Sequence, residues 1–77
     1  MTKYTPTDAE MQQINNAFVY HAPKEGQQER YIKLRDTARE LAKMILENCP
    51  PTRERSLALT NLEQSNMWAN AAIARGE

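Results

Sequence analysis

The 77-residue chain contains one cysteine, one histidine and two glycines, and each scarcity removes a class of function. Cys49 has no second cysteine to bridge to, and no cluster of cysteine and histidine has the spacing of a zinc site. Isolated glycines make no phosphate-cradling loop, and His21 has neither a second histidine nor a nucleophile arranged beside it. No run approaches the roughly 20 apolar residues of a membrane span. Ten basic residues balance ten acidic ones, so the chain has no bulk basic surface for duplex nucleic acid. Strand-like alternation, repeats and low-complexity runs are also missing. What these absences leave is an all-α chain read as one domain over residues 1–77, binding rather than catalytic, with no metal or cofactor and no membrane partner. The lone cysteine and the lack of an apolar leader point to a reducing cytosol. A chain this short without a disulfide or metal staple is marginal by itself, which makes self-association the expected route to stability.

Residues 1–6 read as a loose lead-in. Thr7-Asp8-Ala9-Glu10 then has the form of a capping box, and Met11, Ile14 and Phe18 form one apolar stripe, predicting a short helix over about 8–18. Tyr20-His21-Ala22-Pro23 is a connector. A second helix is expected over about 24–48, although Gly26 in its first turn weakens that end and lets the start slip toward Gln27. Tyr31, Leu34, Ala38, Leu41 and Ile45 repeat at heptad spacing along it, joined by Ala42. Pro50 and Pro51 end it. Thr52 is the expected N-cap of a third helix over about 53–74, with Gly76 just past its end and Arg75 near the negative end of its dipole. Leu59, Leu62, Asn66, Ala69 and Ile73 carry the matching seam. The small residues Ala58, Ser65 and Ala72 beside it allow close approach of a neighbour. The architecture predicted is a short N-terminal helix followed by a long antiparallel helical hairpin, assembling as a homo-oligomer because a lone hairpin cannot cover its apolar faces.

Few residues stand out chemically. His21, directly after the first helix, reads as a cap or packing residue. Cys49, beside the prolines, reads as a small buried filler at the corner. Tyr20 borders the connector close to basic residues, where its ring would either stack on a nucleobase or pack the short helix onto the hairpin; composition alone favours packing. Arg35, fifteen residues on, would either grip a phosphate or be solvated. Between Arg30 and Lys43 five basic residues face two acidic ones. That is a pattern most simply read as a solvated face, of which only a subset would be needed at a site. Met67 and Trp68 read as interface packing. Asn66 and Asn70 read as register-setting polar groups on the seam, with ligand contact as the alternative. The Thr37 hydroxyl is placed to bond its own i−4 carbonyl.

The segments YHAPKEGQQERYIKLRDTARELA and RERSLALTNLEQSNMWANAAIAR together resemble the phage anti-CBASS and anti-Thoeris sponge family, which share a helical hairpin domain. The resemblance covers about Phe18 to Arg75, and its most specific part is Met67-Trp68-Ala69-Asn70-Ala71-Ala72-Ile73-Ala74-Arg75. It implies a homohexamer, a trimer of dimers, that captures cyclic oligonucleotide immune messengers without cleaving them. The setting implied is the cytoplasm of an infected bacterial host. It also implies two pockets. In the first, Tyr20 stacks on a base of a cyclic dinucleotide such as cGAMP, and Arg35 contacts the ligand from the region of the dimer partner; Arg35 stands where the best-known anti-CBASS members have lysine. In the second, near the three-fold axis, Thr37 and Arg53 hold a cyclic trinucleotide, with Arg55 as the alternative to Arg53. The anti-Thoeris branch often carries a β-rich N-terminal domain that this sequence lacks, so cyclic ADP-ribose-type ligands receive less weight than cyclic dinucleotides. A competing reading is an oligomeric helical interaction protein that inhibits or scaffolds another protein. A helix-turn-helix DNA binder fits poorly, because the helices are long and the net charge is zero.

Overall fold

A computed structural model of the protein describes residues 3–77; Met1 and Thr2, the first residues of the expected lead-in, lie outside them. Among the described residues the regular structure is three helices, α1 (Asp8–Phe18), α2 (Gln27–Asn48) and α3 (Arg53–Gly76). The capping box at Thr7 closes completely. The Glu10 amide donates to Thr7 Oγ1 at 3.1 Å, and the Thr7 amide donates to Glu10 Oε1 at 2.8 Å. Those bonds satisfy two donors that a helix start leaves without intrahelical partners, and they hold the Glu10 carboxyl below its ordinary value.

The second helix begins three residues later than about residue 24, the position its pattern favoured. Gly26 adopts a left-handed conformation, φ 81°, which only glycine takes without a steric penalty. Lys24 and Gln27 close a turn around it, Gln27 N to Lys24 O at 3.1 Å and Lys24 N to Gln27 Oε1 at 2.9 Å. At the far corner Pro50 and Pro51 stop α2, and Thr52 Oγ1 accepts from the Arg55 amide at 3.3 Å to start α3. The Arg55 guanidinium reaches back to the carbonyls of Cys49 and Leu46, at 3.2 and 3.5 Å, a cation placed on the negative end of the α2 dipole. Cys49 is exposed, not the buried filler its setting suggested, because a hairpin corner one layer thick has no interior to offer it.

The two ends of α2 and α3 meet in opposite order, Gln27 against Ile73 and Arg55 against Cys49, so the long helices form an antiparallel hairpin. At 1.5 Å per residue they are about 33 and 36 Å long. The molecule measures 51 × 37 × 14 Å, a single layer. A single layer of helices cannot enclose apolar side chains, and among the described residues no hydrophobic side chain is fully buried. Tyr31, Ala38, Ala42 and Ile45 of α2 are half-buried against Leu59, Leu62, Asn66, Ala69 and Ile73 of α3. Leu34 and Leu41, expected on the same seam, stay exposed on its flank.

Among the described residues the buried one is Gln27, 2% exposed. Its Nε2 donates to the Ile73 carbonyl at 3.4 Å and to Glu77 Oε1 at 3.3 Å. Arg30 grips the same carboxylate in a fork, Nη1 to Oε2 at 2.6 Å and Nη2 to Oε1 at 2.5 Å, and Lys24 Nζ donates to the Glu77 carbonyl. With its C-cap fixed in this way, α3 continues through Gly76, which lies inside the helix and not beyond it.

Candidate ligand site at the open end of the hairpin

The connector residues 19–26 fold over the end of the hairpin where α2 begins and α3 stops. α1 has no basic residue in its last turn, and two of its terminal carbonyls are satisfied from elsewhere. His21 Nε2 lies 2.7 Å from the Asn16 carbonyl, and Arg75 Nη2 donates to the Ala17 carbonyl at 3.5 Å. His21 is therefore a cap. These two bonds fix α1 and the connector beside α3 and leave an open cleft of about 440 Å³ between them. Its polar and aromatic lining is Tyr20, His21, Tyr31, Asn70 and Arg75, and Ala17, Ala71 and Ala74 give it a low floor. Tyr20 is 83% exposed, so its ring packs little of α1 onto the hairpin and is open to a planar ligand. The Asn70 carboxamide oxygen is buried with no protein donor in reach.

The other residues singled out by sequence lie elsewhere. Arg35 and Thr37 are two apart on α2, about 200° around the helix, so they face opposite flanks of the seam. Arg35 lines a groove with Arg39, Leu59, Leu62, Glu63 and Asn66. Thr37 lines a narrower one with Leu34, Leu41, Leu62, Ser65 and Ala69. The Thr37 hydroxyl donates to the Lys33 carbonyl at 2.8 Å. Asn66 lines both grooves, and its carboxamide oxygen is also buried without a partner. Arg53 is exposed at the start of α3, at the opposite end of the hairpin from Tyr20. Arg55, the alternative to Arg53, is occupied with the carbonyls ending α2. Within one chain, Tyr20, Arg35, Thr37 and Arg53 thus stand in separate places. Met67 and Trp68 are 61% and 67% exposed.

Sequence reasoning passed over Glu77 and the convergence of Tyr31, Asn70 and Arg75 on Tyr20. The signal for the first was present, since Lys24 and Arg30 bracket the start of α2 and an acid follows the end of its antiparallel neighbour. The second depends on how the connector folds back, which no local pattern encodes. No group of His, Cys, Asp and Glu able to hold a metal occurs among the described residues, and no helix there is long and apolar enough to cross a membrane.

No curated protein and no solved structure matches the chain. The family model described as "Acb2/Tad1, hairpin domain" matches residues 10–74, a span that takes in most of α1, the connector with Tyr20, all of α2 and nearly all of α3. The chain therefore belongs to the Acb2/Tad1 hairpin-domain family, the anti-CBASS and anti-Thoeris sponges.

Proposed function

We propose that this protein is an oligomeric sponge that captures cyclic oligonucleotide second messengers and thereby silences CBASS- or Thoeris-type defence in an infected bacterium. The observation that carries the reading is an almost fully exposed tyrosine at a cleft in a chain that belongs to a sponge family. Capture is stoichiometric: base stacking on Tyr20 and charge-assisted bonds to phosphate, with no bond made or broken. Cyclic dinucleotides such as cGAMP are the favoured ligands, ahead of cyclic trinucleotides and cyclic ADP-ribose-type signals. The separation of the four residues within one protomer fits pockets completed between copies. A partner's Arg35 groove would close on Tyr20, and Thr37 and Arg53 from different chains would meet around a cyclic trinucleotide. A homohexamer built as a trimer of dimers satisfies both requirements, and it would cover Leu34, Leu41 and Trp68.

The test is calorimetry with 3′,3′-cGAMP on the wild-type oligomer and on Tyr20→Ala. Losing one base–aromatic stack should cost roughly 1–3 kcal/mol, with the oligomer mass unchanged. Equal affinity of the variant would remove Tyr20 from the site. A wild-type protein whose melting temperature is indifferent to cyclic di- and trinucleotides and to cyclic ADP-ribose would instead favour an interaction protein that acts on another polypeptide. Ligand at a hundred times its Kd should add about 2.7 kcal/mol.

A further inference from the structure

We infer that Arg75 is the anion-gripping residue of the Tyr20 cleft, supplying from the same chain the positive charge that a phosphate-bearing ligand stacked on Tyr20 requires. The inference rests on the sponge reading and adds to it a residue that the sequence did not single out for contact. Arg75 lines the cleft together with Tyr20, Tyr31 and Asn70. Its guanidinium carries five N–H donors, and the one spent within the protomer goes to the Ala17 carbonyl at 3.5 Å, the outer limit of a hydrogen bond.

The other arginines near the hairpin ends are committed or distant. Arg30 is held in the fork with Glu77, the ion pair found among the described residues. Arg55 caps α2. Arg53 lies 22 residues from Arg75 along α3, about 33 Å at helical rise, too far to share a ligand with Tyr20 of its own chain. Arg35 lines a different groove. Arg75 is thus the arginine at this cleft whose charge no carboxylate among the described residues neutralises. The unpartnered Asn70 carboxamide oxygen, five residues earlier in α3 and lining the same cleft, is a second sign that a single chain leaves the polar lining of this cleft unsatisfied. An exposed aromatic ring and a guanidinium without a carboxylate partner, lining one cleft, match a nucleobase joined to a phosphodiester.

The experiment compares wild type, Arg75→Gln, Arg75→Lys and Tyr20→Ala, each as the full-chain oligomer, by calorimetry with 3′,3′-cGAMP at several salt concentrations. A charge-assisted contact predicts roughly a tenfold to hundredfold loss for Arg75→Gln. The salt dependence of binding should weaken with it. Arg75→Lys should recover much of both, and the oligomer mass should not change. A role confined to capping α1 would lower affinity while leaving the salt dependence of wild type intact, and that result overturns the inference. So does binding by Arg75→Gln within twofold of wild type. If Tyr20→Ala loses binding while Arg75→Gln does not, the inference fails and the sponge reading stands; if wild type binds no cyclic nucleotide, both fail.

Discussion

Single residues divide here into those with a local partner and those with a distant one. Glu77 belongs to the second kind. The Arg30 fork, then the Gln27 amide, hold its carboxyl down from the ordinary 4.5 to about 2. A depressed carboxyl stabilises the fold above its unfolded pKa, and the contribution disappears as pH falls through the folded pKa. Melting curves of wild type and Glu77→Gln should therefore differ at neutral pH, converge below about pH 4.5 and coincide near pH 2. The pair is half-exposed and screened by solvent, so its contribution is modest and should also shrink in high salt. A difference that persists unchanged to pH 2 would show that Glu77 acts through packing and not through charge. Glu77 also holds Gln27 through its carboxylate and Lys24 through its main-chain carbonyl, and through them the base of the connector that carries Tyr20, so one residue links the end of α3 to the geometry of the cleft.

At the scale of helices, the boundaries follow chemistry that the sequence displays. Thr7 with Glu10, the proline pair at the corner and Thr52 act within three residues of themselves, and each is legible without knowing the fold. Thr7→Ala removes an N-cap worth about 1 kcal/mol. Amides in the first turn of α1 should then exchange roughly fivefold faster, while α2 and α3 keep their protection, because α1 reaches α3 through Arg75 at its other end. Thr52→Ala should act on the hairpin itself and lower the melting temperature by a few degrees. Slower or unchanged exchange in α1 of Thr7→Ala would mean that docking, not capping, sets its stability. What escaped the sequence was decided between elements. Heptad spacing put Leu34 and Leu41 on the α2 seam, but the helix packs on Tyr31, Ala38, Ala42 and Ile45 and leaves both leucines open. Cys49 and Gly76 were misplaced for the same reason, the first by assuming an interior at the corner, the second by overlooking what holds Glu77. Tyr20 was legible as an aromatic in a connector, whereas Arg75 gains its place only when the connector folds back across the end of α3.

The whole molecule is a flat layer of helices 14 Å thick in which the one buried residue among the described residues is a glutamine. Folding must offset of order 1–2 kcal/mol of backbone entropy per residue, and the dominant force able to do so is the burial of apolar surface. The single chain keeps Phe18, Met44, Met67 and Trp68 more than half exposed. Burial between copies, as the proposed sponge assembly requires, would supply that surface and make folding and assembly a single equilibrium. Such an equilibrium depends on protein concentration. Each tenfold dilution removes roughly 0.7 kcal/mol per chain for a dimer and about 1.1 for a hexamer, and the melting temperature should fall by on the order of 3–8 °C. Calorimetric melts over a hundredfold range of concentration, with the mass measured at each, would check this. A melting temperature that ignores dilution, at the mass of one chain, would mean that the hairpin is stable alone, and pockets shared between protomers would lose their physical basis.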